Sequence, residues 1–273
     1  MAITSNKDNK ILNKELSIQI SLSGLSFCIL QRDSKTITFL KTYWFEKKLN
    51  PFEVLDKLKH VFNSENELQS TFSNVIVIHS NELSTLVPKA LFNEDALADY
   101  LKFNSKILRS DFITFDTIEA NDSVNVYVPY VNINNFIYEL FGAFTYKHVS
   151  TVLIEQLLLT EKNAERTKMY VNVSKGHFEM VVIDKSSLLL YNTFEFNSDE
   201  DFIYYILFVS EQLGLNPETL QLVFLGDIQH GDSLYNITYK YIRHIDFGNR
   251  NDLYNFVEKP ENNYSNYTLL KSF

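Results

Sequence analysis

The chain is short of cysteine, of glycine and of basic charge, and each shortage excludes a class of function. Cys28 is the single cysteine in 273 residues, so neither an internal disulfide nor a thiolate zinc cage can form, which fits a reducing compartment. Against 34 acidic side chains stand 25 basic ones, a net charge of -9 and a pI near 5.2. Such a chain repels polyanions, and no nucleic-acid partner is expected. No apolar run approaches the roughly 20 residues that cross a bilayer, and the opening MAITSNKDNKIL is polar. A cytoplasmic location without membrane insertion is therefore expected. Seven glycines fall far below the roughly 19 that average usage would give. Glycine builds the loops that cradle phosphate, so the shortage weighs against nucleotide chemistry.

What is present is core material. Hydrophobic residues make up 45% and aromatics 14%, enough for one large domain or two compact ones. Leu16, Ile18, Ile20 and Leu22 alternate with Ser17, Gln19 and Ser21, the period of a half-buried strand. Strands over Leu25 to Gln31 and Thr36 to Phe45 complete a meander. Asn50-Pro51 caps a helix, and Val75 to Ile78 reads as a strand buried on both faces. The same order recurs about 150 residues later, the mark of a duplicated unit. Strands span Met169 to Val173, Phe178 to Ile183 and Leu188 to Phe196. Ser198 caps a helix over Asp199 to Leu213, and Leu222 to Leu225 forms a buried strand ending at Gly226.

These elements divide the chain into a flexible N-terminus (1–14), a first half (15–165) with an inserted α+β block (81–150), a second half (166–248) and a C-terminal tail (249–273). Within the insert, helices are expected around Glu94 to Phe103 and Ile133 to Phe144. Strands are expected near Phe112 to Ile118, Ser123 to Val128 and Tyr146 to Val149, and a helix over Thr151 to Lys162 joins the halves.

A meander, helix and buried strand occurring twice resembles the actin-like ATPase fold, an α/β architecture of the ribonuclease H-like type. The order of elements is most similar to the actin-like cytoplasmic proteins of type IV pilus assembly and type II secretion. The segments LSIQISLSGLSFCIL, TLVPKALF, VNVYVPY and MYVNVSKGHFEMVVIDKSSLLLYNTFEF resemble an uncharacterised bacterial family known as a domain of unknown function. The resemblance implies a nucleotide cleft between the halves, with Asp-x-Gly in each phosphate loop and Gly-Gly at the adenosine loop. Here the first loop reads Gln19 and Ser21, with Ser26 where a phosphate-binding Lys often falls. The second reads Asn172 and Ser174, followed by Gly176, and the third Gly226 and Asp227. Amides cannot act as a general base and hold a hard cation less well than carboxylates.

The loops imply a protein without catalytic residues, metal or cofactor, in which ATP and Mg lack their usual partners. A protein-binding or scaffold role is expected, with a protein partner and room for a homo-oligomer. The alternative is an ATPase or sugar-kinase-like enzyme that uses unconventional cleft residues such as Asp184 or Asp227. A partner surface is expected on the insertion at Phe92, Tyr127 and Tyr130. Asp227, His230, Asp232 and His244 could gather around a metal but match no ligand spacing. His177 reads as a solvated turn residue beside the cleft, and turning a hairpin explains both Gly24 and Gly176.

Overall fold

The computed structural model describes residues 13–103 and 105–273, so most of the expected flexible N-terminus (1–14) lies outside the described residues. Two central sheets repeat one plan. In the first, β1 (Lys14–Ile20), β2 (Gly24–Gln31) and β3 (Thr36–Trp44) form the antiparallel meander, followed by α1 (Pro51–Ser64) and β4 (Asn74–His79) parallel to β1. Asn50 caps α1 as its sequence implies: its side chain accepts from the Phe52 and Glu53 amides while Glu53 reaches back to the Asn50 amide, a capping box with Pro51 at the first helical position.

The inserted block divides in two. β5 (Ser84–Pro88), α2 (Leu97–Leu101), β6 (Thr114–Ile118) and β7 (Ser123–Tyr127) make a separate sheet of order β5-β7-β6. By contrast α3 (Val131–Phe141) places Ile133 and Ile137 in the core of the first half, and β8 (Thr145–His148) joins the first sheet beside β4. The connecting helix α4 (Val149–Thr160) then leads to the second meander of β9 (Lys168–Ser174), β10 (His177–Asp184) and β11 (Ser187–Glu195). Next come α5 (Asp199–Gln212), β12 (Gln221–Gly226), α6 (Ser233–Tyr239) and β13 (His244–Phe247). The sheet orders β3-β2-β1-β4-β8 and β11-β10-β9-β12-β13 are the same arrangement, as a duplication requires.

Past residue 248 the chain returns to the first half. β14 (Asn255–Phe256) pairs with the edge of β3, and α7 (Tyr267–Leu270) packs on β1, β2 and α4. This return corrects the expectation of a half-buried β1. Ser17 is fully buried and its hydroxyl lies 2.8 Å from that of Ser272. Alternation reports the face turned to α1, but it cannot report a cover supplied 250 residues later. The β5 strand was missed because five residues ending in proline give little pattern, and α7 because four residues carry no period.

The outermost expectation to fail concerns Tyr127 and Tyr130, read as a partner surface. Tyr127 is fully buried and donates to Asp116 Oδ1 (3.1 Å), while Tyr130 is 8% exposed and donates to the Ser80 carbonyl (3.2 Å). Phe92 is half-buried against Phe115 and Tyr100. Tyr127 and Tyr130 fill the junction between insert and first sheet, and Phe92 belongs to the insert's own core, where a small three-stranded sheet needs large side chains.

That junction holds two buried histidines side by side on the parallel strands β4 and β8. The Tyr130 amide donates to His79 Nδ1 (3.3 Å), leaving Nε2 to donate to Asn134 (2.9 Å). Likewise the Ser150 amide donates to His148 Nδ1 (3.2 Å), and Nε2 donates to the Asn81 carbonyl (3.1 Å). Both rings are satisfied only when neutral. Burial pulls His79 down to about 4; burial and then the neighbouring His79 pull His148 down to about 3. Below pH 6.5 the unfolded chain therefore takes up protons that the native chain refuses, so stability present above 6.5 is lost on acidification. Each histidine contributes a loss of up to about 1.4 kcal/mol per pH unit. Asp116, pushed up by burial, acts in the opposite sense. The urea midpoint of the native chain should fall steadily from pH 6.5 to 5. A His148→Gln variant, which keeps Asp116, should be less stable at pH 7 and follow a flatter profile; parallel profiles would contradict the neutral-histidine assignment.

Candidate functional site

The two sheets face each other across a cleft, with α4 and the return segment 261–273 between them. On β1, β2 and β3 the helix-distal face carries Ser17, Gln19, Ser26, Cys28 and Thr42. On β9, β10 and β11 it carries Tyr170, Asn172, Glu179, Tyr191 and Thr193. Cys28 is fully buried under Leu269 and Leu270, and burial pushes its thiol far up, leaving it inert.

Every position expected to be a degenerate nucleotide contact lies at this cleft, and most already have a partner. Gln19 Oε1 accepts from the Thr268 hydroxyl (2.5 Å), so the return segment reaches the first loop. Asn172 Nδ2 donates to Glu179 Oε2 (2.9 Å). Ser21 Oγ accepts from the Ser23 and Gly24 amides (3.2 and 3.0 Å), tying its own hairpin turn. Ser26 and Thr42 share a hydroxyl hydrogen bond (3.0 Å), and Thr42 donates to Asn266 (3.4 Å). Ser174 and Asp227 border what remains, a cavity of about 240 Å³ completed by Asn266 and Thr268. Small-molecule sites ordinarily occupy about 300–1,000 Å³.

The glycines have local causes. Gly226 sits at φ +83°, and a Cβ there would lie 2.2 Å from the Val173 carbonyl oxygen. Its amide donates to the Tyr264 carbonyl (3.0 Å) and that of Asp227 to Val173 (2.8 Å), so this turn is closed by protein on both sides. Gly176, at φ +78° in open space, answers only to its turn. Gly24 departs from the hairpin explanation. It has no positive φ, and a Cβ would meet the Trp44 ring at 2.7 Å across the β2–β3 pair.

Glu179 is the buried carboxylate of the cleft, absent from the residues expected there. It is 1% exposed, accepts from Asn172, and lies 3.5 Å from His177 Nε2. The signal was available: in HFEMVVID, Phe178, Met180 and Val182 point to the α5 core, so Glu179 shares the opposite face with Val181 and Ile183. His177 is correspondingly not a solvated turn residue. Its side chain is 16% exposed; burial opposes its protonation, but the Glu179 carboxylate outweighs that and raises its pKa.

Beside the hairpin turns, a second cavity of about 230 Å³ is bordered by Ser21, Lys48, Tyr130 and Gly176. Two lysines bridge the halves here. Lys175 Nζ donates to the Phe45 carbonyl (2.6 Å), and Lys48 pairs with Glu195 and, at 3.7 Å, with Glu82. The metal grouping around Asp227 does not assemble: Asp232 accepts from the Gln229 amide (2.7 Å) and the His230 ring packs on Tyr235. Among the described residues no three His, Cys, Asp or Glu side chains gather into a possible metal site.

Comparison with known proteins agrees with this architecture. A family model described as "Protein of unknown function (DUF3822)" matches residues 4–245. A crystal structure from Bacteroides thetaiotaomicron VPI-5482, described as having an actin-like ATPase fold and unknown function, is 25% identical. It matches over 87% of this chain and 91% of that one with a TM-score of 0.74. A PilM–PilN type IV pilus biogenesis complex is 11% identical over 89% and 90% of the two chains, with a TM-score of 0.56. The cytoplasmic domain of EpsL from the type II secretion system of Vibrio cholerae is 10% identical over 83% and 94%, at 0.41. No curated protein matches the sequence. The chain thus has the actin-like ATPase fold, with the cleft just described between its halves.

The two cleft glycines should respond differently to one added methyl. Gly226→Ala should destabilise by about 3 kcal/mol or more, since β9 backbone must move. Gly176→Ala should lose only the left-handed backbone preference, about 1 kcal/mol. Urea unfolding of both variants tests this; equal losses would mean that Gly226 is set by its turn alone.

Proposed function

This chain belongs to the family described as protein of unknown function (DUF3822), and we propose that it is a non-catalytic actin-like protein that holds a protein partner. The observation that carries this reading is that residues of the chain itself occupy the cleft positions where the fold's nucleotide chemistry would lie. Gln19 is taken by Thr268 and the Gly226 amide by Tyr264. Asn172 is taken by Glu179, whose own carboxylate sits between Asn172 and His177. A general base must reach the proton it abstracts, and an amide cannot serve as one.

Two further features support the reading. Lysines 48 and 175 align the halves through groups on opposite sides of the cleft, and the buried return segment closes it, whereas a turnover cycle needs the site to admit substrate and release product. The pilus structure that shares the fold is itself described as a complex of two proteins. We place the chain in the bacterial cytoplasm, on the strength of its lone buried thiol and acidic composition. No helix among the described residues is long and apolar enough to cross a membrane.

Mg-ATP tests the proposal directly. A ligand that binds only the native state must raise Tm, and one at 100 times its Kd adds about 2.7 kcal/mol. Millimolar Mg-ATP or Mg-ADP should leave Tm unchanged, and phosphate release should equal the protein-free background. A rise of several degrees would show that the cleft still binds nucleotide, and metal-dependent turnover abolished by Asp227→Asn would establish the enzyme reading instead.

A further inference from the structure

We propose that the groove beside β11 receives an extended segment of a partner protein, added as a further strand to the second sheet, with a basic residue at the end nearest Glu82 and Glu195. This surface deepens the protein-binding reading above and rests on it.

Sheet edges are pairing sites unless they are blunted by shortness, charge, proline, a bulge or a covering segment. Of the six edges among the described residues, β8 and β13 have four residues each and β5 and β6 five, while β14 covers β3 only at Thr36 and Ile37 and the rest of that edge carries Lys41 and borders Asn262 and Asn266 of the return segment. Lys147, Asp246, Asp116 and Pro88 interrupt β8, β13, β6 and β5. β11, at nine residues, is the long edge without such an interruption, and Leu188 to Phe194 contains neither charge nor proline. It pairs with β10 only. Its one bulge, opposite Val182 and Ile183, turns Leu189 out at 48% exposure, and from Leu190 to Glu195 the pairing with β10 is regular.

The space beside this edge suits a single strand. A groove of about 740 Å³ runs between β11 and the insert, with Glu82, Ser84 and Leu86 on one wall and Leu189, Asn192 and Thr193 on the other. A second folded copy would bring its own sheet and helices to this edge, which a slot walled by the insert does not admit. A lone extended segment brings only backbone and alternating side chains.

Chemistry on either side of the edge selects the segment. Leu190 and Phe194 face the α5 layer, where Phe194 stacks on Tyr205 (4.7 Å), and Tyr205 in turn meets Tyr204 (5.4 Å). Tyr204 and Phe208 stay 58% and 44% exposed at the end of that aromatic row, giving apolar side chains of the segment a surface to cover. At the other end Glu82 is the one charged side chain lining the groove, and its cation, Lys48, stands 3.7 Å away and lies closer to Glu195. A carboxylate on the groove wall with no cation beside it there favours a Lys or Arg in the segment.

Random dodecamer peptides displayed on phage and panned on the full chain provide the test. Enriched sequences should alternate apolar and polar residues and carry Lys or Arg at one end, and the synthetic peptides should slow hydrogen exchange at residues 188–194. Leu189→Lys should weaken them at least about tenfold while the circular dichroism and urea midpoint stay unchanged, and Glu82→Lys should remove the preference for a basic end. The proposal fails if nothing is enriched, if peptides bind Leu189→Lys as well as the native chain, or if protection appears in the cleft around Gln19 and Asn172. It fails equally if the chain dimerises through β11 and Leu189→Lys returns it to monomer, for then a second copy occupies the edge. Failure here with no effect of Mg-ATP removes the groove alone, whereas metal-dependent ATP turnover with peptides still on β11 removes the non-catalytic reading and leaves the groove.

Discussion

The return of the chain through its own cleft is the constraint on which the rest of the structure depends. Residues 261–273 run between two sheets that would otherwise face each other across water. Within them Tyr267, Leu269 and Leu270 are almost wholly buried. Each such side chain contributes about 1.5–3 kcal/mol by leaving water, and the same segment converts β1 into a strand covered on both faces. Arg250 fixes the approach. Its guanidinium, 1% exposed, donates to Asp252 and to the Ser265 and Asn262 carbonyls, so one buried cation gathers the loop carbonyls that lead into α7. A buried charge is tolerated only with partners of this kind.

Because α7 touches β1, β2 and α4 at once, closure of the cleft is a property of the core. The lysine bridges at the rim are a different kind of contact. The Lys48 pairs are about half exposed and contribute little to stability, since solvent screens them. Their effect is geometric, holding the hairpin turns of the two halves in register around the cavity at Ser21 and Gly176. The apolar return segment thus supplies the energy of closure, and the rim ions its alignment.

How legible this was follows the range of the interactions. The two meanders, α1 with its Asn50-Pro51-Glu53 start, and α5 behind Ser198 could be read because capping and alternation are local. The duplication could be read because it repeats local patterns. Ser17, Tyr127 and Tyr130 were misplaced for one reason: what buries each comes from elsewhere in the chain, from Ser272, from Asp116 and α4, and from Ser80. Gly24 was assigned to a turn when the cause is Trp44 on the neighbouring strand. At the cleft, the residue types at 19, 172 and 227 were plain in the sequence. That Gln19 has a partner 249 residues away, and Asn172 one seven residues away, was not.

The amides at 19 and 172 and the packing around them are physically coupled. A carboxylate at position 19, half-buried beside Thr268, would lose part of its hydration, and one hydroxyl donor returns less to a charge than water does. A glutamine offers the same acceptor oxygen to Thr268 without a charge to desolvate. On the other sheet the balance is reached differently: Glu179 keeps a carboxylate at 1% exposure because Asn172 donates to it and His177, its protonation favoured by that carboxylate, stands beside it. An aspartate at 172 would set two carboxylates within hydrogen-bonding distance in a dry site, and one would have to take up a proton. The amides at 19 and 172 therefore suit this packing better than carboxylates would, most strictly at Asn172, which is 5% exposed.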